Sequence, residues 1–212
     1  MKKLAAVIIE TRDFPNLVEI IQSHLDFLPE YTQLIIFHSD DNYEKLKIAF
    51  SHSGFSNINE LRSLEQYNWL LSQPQFWEQL LDFDRVLIFQ ADSRLLRTGI
   101  EEFYGWDYVG APWRWDYQNT LAGNGGLSLR NPKVMLEICQ SFQRPSHLNE
   151  DHWFCMMMRD KKIGNPAPYE IGSTFSCETI FHLGTLGTHS PEKWLQVDQV
   201  DQIFNQYLKQ NV

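Results

Sequence analysis

At 212 residues and 25.0 kDa the chain can bury a sizeable core without disulfides or structural metals, which excludes a peptide-sized or multidomain protein. Hydrophobic residues at 43%, aromatics at 14% and charged residues at 21% exclude intrinsic disorder. Lys and Arg number 18 against 27 Asp and Glu, a net charge of −9, so the average surface repels phosphate backbones and anionic lipid, and no nucleic-acid partner is expected.

The pattern predicts alternating strands and helices. Leu4 to Ile9 is a continuous apolar run rich in β-branched residues and reads as a strand buried on both faces. It stops at Glu10, short of the ~7–15 apolar residues of a signal peptide. Leu17, Ile20, Ile21, Leu25 and Leu28 recur at helical spacing, with Pro15 near the start and Pro29 at the end. Gln33 to Phe37 is a second strand, closed by His38-Ser39-Asp40-Asp41, and Tyr43 to Phe50 a second helix. A weaker strand is expected at Asn57 to Leu61, and Glu65 to Leu81 supplies one helix or two around Pro74.

Arg85 to Phe89 is the clearest strand, and its polar exit Gln90-Ala91-Asp92-Ser93 marks the carboxyl end where α/β sheets bind ligands. Tyr108 to Ala111 reads as a short strand, Trp113 to Leu121 as an aromatic loop, Gly125 to Arg130 as a strand and Pro132 to Phe142 as a helix. A helix over Glu150 to Arg159 follows. Beyond Pro166 the chain reads as irregular, with a short strand near Thr174 to Cys177 and a closing amphipathic helix over Val197 to Leu208. The fold class expected is therefore α/β, one domain with a mixed sheet flanked by helices. Cys139, Cys155 and Cys177 are odd in number and lack CxxC spacing, so they read as buried thiols in a reducing compartment. No run approaches the ~20 apolar residues that span a bilayer. The expectation is a soluble cytoplasmic protein.

Five features could carry chemistry. Asp92, on a polar turn past a buried strand, could hold a divalent cation, or simply cap the next element; Gln90 would be its neutral companion. Gly123-Asn124-Gly125-Gly126 permits close backbone approach to a ligand, or is an Asn-Gly turn; it matches neither GxGxxG nor the P-loop. Arg130, at the far end of the next strand, reads as a solvated or paired Arg. Glu150 and Asp151 could favour a helix dipole behind Asn149 as N-cap, or one could be a general base. His189, in a Gly-punctuated loop, could join Asp92 and phosphate oxygens around Mn²⁺ or Mg²⁺. Trp106, Tyr108, Trp113, Trp115 and Tyr117 crowd one region; such rings stack on sugars, although Trp106 and Tyr108 read equally as core. Met156 to Met158 read as core filler.

Taken in order, Asp92 at a strand end, GNGG, Asn149-Glu150-Asp151 and a late His189 resemble the GT-A fold glycosyltransferases. The blocks YNWLLSQPQFWEQL, VLIFQADS, DYVGAPW, GNGGLSLR and NEDHWF look like an uncharacterised family of glycosyltransferase-like domains, from Tyr67 to about His189. The resemblance implies a Rossmann-like domain with a nucleotide-binding half over 1–93 and an acceptor half over 94–212. It implies a nucleotide-sugar donor and a hydroxyl acceptor. Asp92 matches the second acid of D-x-D, and Gln90 stands where the first acid would be. His189 would complete a Mn²⁺ or Mg²⁺ site. Gly123, Asn124, Gly125 and Gly126 would shape the pocket, with Trp113 against the substrate. Asp151 would be the base and Glu150 would orient acceptor or base. Thr11 and Arg12 end the first strand, where such folds bind the nucleotide. The implied reaction is a direct displacement with inversion.

Other classes remain open. Paired carboxylates hydrolyse glycosides, but Glu150 and Asp151 are adjacent in sequence and need not face each other across ~5–9.5 Å. A binding module without turnover would explain Gln90. A metal-dependent nucleotidyltransferase would release pyrophosphate instead of a nucleoside diphosphate.

Overall fold

The computed structural model describes residues 3–116 and 121–210. It is a mixed α/β domain. A six-stranded sheet is formed by β1 (Leu4–Ile9), β2 (Gln33–His38), β3 (Gly54–Asn57), β4 (Arg85–Phe89), β6 (Tyr108–Gly110) and β7 (Leu127–Arg130), in the order β3-β2-β1-β4-β7-β6. The first four strands in that order run parallel, β7 runs antiparallel to β4, and β6 antiparallel to β7. Three short strands, β5 (Ser93–Leu95), β8 (Ser176–Cys177) and β9 (Gly187–His189), make a second sheet in the order β5-β9-β8.

Period-two alternation explains why the central strands read as unbroken apolar runs. Leu4, Ala6 and Ile8 of β1 enter one core layer with Leu87 and Phe89 of β4, while Ala5, Val7 and Ile9 enter the opposite layer with Val86 and Ile88. β7 departs from this. Leu127 and Leu129 join the first layer, whereas Ser128 and Arg130 point into the second and are fully buried there.

Eight helices flank the sheet among the described residues: α1 (Leu17–Leu25), α2 (Asp40–Ala49), α3 (Leu64–Leu71), α4 (Pro74–Glu78), α5 (Pro132–Ser141), α6 (Glu150–Lys161), α7 (Tyr169–Phe175) and α8 (Val197–Gln210). Ser39 caps α2 by accepting from the Asp41 amide, so the polar run after β2 is both strand exit and helix start. Pro74 opens α4 at its first turn, which splits the 65–81 segment into two helices. The three cysteines are free and buried. No described helix is long and apolar enough to cross a membrane.

Three local expectations change. The third strand is Gly54–Asn57, ahead of the expected Asn57 to Leu61; it is an edge strand on β2, and pairing rather than apolar alternation defines it. The region after Pro166 is not irregular up to Thr174: α7 occupies Tyr169–Phe175, a helix whose Gly172 lies against the Gly110 carbonyl. His189 is on a strand, not a loop, because β9 pairs with β5 and β8. Tyr117 lies outside the described residues.

Candidate active site

The parallel ladder aligns the ends of β1 and β4, with Ile8 opposite Phe89, and antiparallel β7 begins at the same edge, with Leu127 opposite Phe89. Glu10-Thr11-Arg12, Gln90-Ala91-Asp92 and Gly123-Asn124-Gly125-Gly126 therefore gather on one rim, the Gln90 amide donating to the Gly126 carbonyl at 2.8 Å. This is the strand-end crevice where open α/β sheets place ligands. His189 arrives by register: Ser93 of β5, directly after Asp92, pairs with His189 of β9. β8 lies alongside β9, and Glu178 follows its end.

His189 is the hub. Its Nε2 is 3.2 Å from Asp92 Oδ1 and 3.1 Å from Gln90 Oε1, and its Nδ1 is 3.1 Å from Glu178 Oε1. Burial disfavours the imidazolium, but the hydrogen bonds and charges of Asp92 and Glu178 prevail and raise its pKa to about 9. Burial likewise opposes the charge on Asp92. The bonds from His189, Ser190 and Lys193 outweigh it and hold the carboxyl well below its usual range. Ser190 Oγ and Lys193 Nζ donate to Asp92 Oδ2 at 2.5 and 2.9 Å. Lys193 thus takes one carboxylate oxygen and leaves Oδ1 toward His189.

Glycines 123 and 126 do different work. Gly123 has φ of +100°, a left-handed turn that a side chain rarely adopts, so it shapes the backbone. Gly126 has an ordinary conformation, but a Cβ there would collide with the His189 imidazole. Gly126→Ala is accordingly predicted to push His189 off Asp92 and to cost about 1–3 kcal/mol by overpacking. Urea denaturation reads this directly, and an unchanged midpoint would mean that the ring yields freely. Asn124 ties the loop to His189's support: its Oδ1 accepts from the Gly126 amide at 2.7 Å and its Nδ2 donates to Glu178 at 3.1 Å.

Asp151, at the first turn of α6, accepts from the Gly125 amide at 3.1 Å and the His152 amide at 2.7 Å. Burial, then the charge of Glu150, raises its pKa to about 7 despite those two bonds. That places a carboxylate near the proton affinity a general base needs at neutral pH. The Asn149 side chain does not cap α6; its Oδ1 accepts from Asn68 Nδ2 instead.

Glu150, expected to orient the acceptor or the base, lies in a buried ion pair. It is 2% exposed, and both carboxylate oxygens accept from Arg130, at 2.7 and 3.0 Å. Arg130 is itself fully buried, with its guanidinium 4.4 Å from the Tyr108 ring centre and its Nε donating to Ser128. A carboxylate bound in this fork does not act as a free acid or base; it bears on Asp151 through its charge. Of the two expectations for Arg130, solvated or paired, the structure has the pair.

Two cavities adjoin at this rim. The larger, about 650 Å³, is lined by Glu10, Thr11, Arg12, Arg62, Gln90 and Asp92 among others. The smaller, about 130 Å³, is lined by Asn124, Gly125, Gly126, Glu150, Asp151 and His189. Leu64, Tyr67 and Gln90 belong to both walls. Arg12 is exposed and pairs with Glu10 at 2.7 Å, whereas Thr11 is buried and its Oγ1 already accepts from the Leu61 amide. Trp113 is buried, stacks on Trp115, lies tilted against His152 and lines neither cavity.

Sequence reasoning missed Glu178. It carries no motif, and only the β8–β9 pairing brings it to His189. The rings of Trp194 and His152, beside Trp113 and Trp115, were also unforeseen, since they come from three separate segments.

A family model matches residues 50–191, well over half of the chain. The chain belongs to the DUF5672 family, proteins of unknown function. The DUF5672 match holds Gln90, Asp92, the GNGG loop, Asp151, Glu178 and His189, whereas Thr11 and Arg12 precede it. No curated protein matches the chain.

Proposed function

We propose that this DUF5672 protein is a glycosyltransferase that moves a sugar from a nucleotide-sugar to an acceptor hydroxyl, with Asp151 as general base. The observation that carries this reading is the shared wall of the two cavities. A space of about 650 Å³ at the strand ends, with Arg12 and Arg62 on its wall, suits a nucleoside diphosphate, and it meets a small pocket holding a carboxylate raised to about 7. The sheet order, with three parallel strands joined to β4 and an antiparallel β7, supports the GT-A resemblance.

In the reaction proposed, the acceptor oxygen attacks the anomeric carbon and its proton passes to Asp151 Oδ. The bond from that carbon to the diphosphate oxygen breaks, the electron pair leaves with the nucleoside diphosphate, and the anomeric configuration inverts. Arg12 and Arg62 offset the charge of the leaving group. Nothing in this scheme needs a side-chain nucleophile.

For a divalent cation, His189 Nε2, with Asp92 Oδ1 at 3.2 Å and Gln90 Oε1 at 3.1 Å, offers a mixed nitrogen and oxygen donor set once the cation displaces the imidazolium proton, and Glu178 on Nδ1 is the outer carboxylate that orients a ligating imidazole. Among the described residues no cluster of three His, Cys, Asp or Glu side chains is arranged to hold a metal. A Mn²⁺ or Mg²⁺ ion there would therefore draw its remaining ligands from phosphate oxygens, and would supply Lewis-acid neutralisation of the leaving group.

The test is thermal stabilisation by a panel of nucleoside diphosphates and nucleotide-sugars with and without Mn²⁺. The predicted result is a Mn²⁺-dependent shift, abolished in Asp92→Ala. Equal shifts in that variant would remove Asp92 from the metal site. A second reading, a binding module without turnover, is favoured by Gln90 in place of an acid and by Lys193 paired to Asp92. It predicts the same stabilisation but no release of nucleoside diphosphate with any acceptor.

A further inference from the structure

Two segments that carry candidate reaction residues, and the segment after β6, bring aromatic rings to one place. His152 follows Asp151 on α6, Trp113 and Trp115 lie in the loop after β6, and Trp194 comes five positions after His189. The rings form a row. Trp113 lies 5.8 Å from His152 and 6.1 Å from Trp115, the latter pair nearly parallel at 15°, and Trp115 lies 5.9 Å from Trp194. The Arg114 guanidinium sits 5.4 Å over the Trp194 ring. Trp115 is 58% exposed and Trp194 39%.

Exposed indoles in file are a costly surface unless something covers them. Of the three indoles only Trp115 and Trp194 are exposed, with Arg114 over the outer one, where a protein partner would need a broad patch of roughly 800 Å² per side. A narrow occupant with apolar C–H faces and polar edges matches it. Pyranose rings have that form, and the two exposed indoles, 5.9 Å apart, present two neighbouring faces to it. His152, against Trp113, directly follows the candidate base in the chain.

We propose that the exposed Trp115 and Trp194, with the buried Trp113 ring behind Trp115, form the acceptor platform, binding a saccharide of more than one unit whose terminal hydroxyl reaches Asp151. This rests on the glycosyl-transfer reading and names its acceptor class. Arg114, over the outer ring, hydrogen-bonds the hydroxyl or carboxylate edges of the bound units.

The probe is a printed array of mono- and oligosaccharides incubated with the full chain in the absence of donor. Retention on oligosaccharides sharing one terminal unit is expected, with monosaccharides about tenfold weaker; Trp115→Ala and Trp194→Ala each lose about tenfold, and Trp115→Phe retains binding. The nucleoside diphosphate thermal shift stays unchanged in all three variants, which shows that the fold and the donor cavity are intact. An array with no retained feature, monosaccharides bound as well as oligosaccharides, or alanine variants that bind like the parent chain would each overturn the platform. The two readings fail separately: glycan binding without any nucleotide-sugar shift or transfer sinks the transferase and keeps the platform. Transfer with an unchanged acceptor KM in Trp115→Ala does the reverse.

Discussion

Asp151→Asn is expected to slow glycosyl transfer by about a hundred- to ten-thousand-fold, the usual contribution of a positioned general base, while nucleoside diphosphate binding persists. In the parent chain the rate should rise with pH through about 7, since the proposed base, Asp151, works only when ionised and burial beside Glu150 raises its pKa to that value. Stability should move the opposite way. The unfolded carboxyl loses its proton near ~3.9, the folded one near 7. Between those values the native state binds the extra proton, so this group's contribution is full below about 4 and is lost as pH rises through 7. Asp151→Asn has no such loss, so its melting temperature relative to the parent should rise between pH 4 and pH 8. Turnover in the Asn variant equal to that of the parent chain would remove Asp151 as the base. A flat rate profile from pH 6 to 8 would remove the raised pKa.

Arg130→Met should lower the unfolding free energy by about 3–5 kcal/mol, measured by urea denaturation, because it leaves the Glu150 carboxylate buried without its partner. Coulomb attraction and desolvation nearly cancel in an intact buried pair, so the pair is a poor source of net stability and an expensive one to break. Adding Glu150→Leu to Arg130→Met should recover most of the loss. The coupling in that double-mutant cycle separates the ion pair from the guanidinium's packing on Tyr108. A single-variant loss below about 1 kcal/mol would mean that Glu150 takes up a proton cheaply, and that its charge does not set the proton affinity of Asp151.

The part of the fold that was legible is the part where one physical signal dominates. β1, β2 and β4 are buried on both faces, so their sequences are short apolar runs with polar exits, and the expected and observed bounds nearly coincide. Asp92 and Asp151 were legible for a related reason: each is a carboxylate directly beyond a strand or at the first turn of a helix, positions that follow from one-dimensional pattern alone. The elements that escaped notice, β5, β9 and α7, are three to seven residues long and are defined by pairing with distant partners. Edge strand β3 was displaced for the same reason, since its hydrogen bonds to β2 outweigh its own weak pattern.

Read alone, the chain determined the alternating α/β order, the carboxyl ends where a site belongs, the buried thiols and the residue types able to act there, because burial and periodicity are written locally. Tertiary structure decided which of those residues meet. The β5–β9 register sets His189 against Asp92, and the β8 end delivers Glu178 behind it. The inward face of β7 sinks Arg130 onto Glu150, which ties that carboxylate into a buried ion pair beside Asp151. Contacts of this kind depend on strand register between distant segments, and a one-residue slip would send His189 of β9 or Arg130 of β7 to the other face.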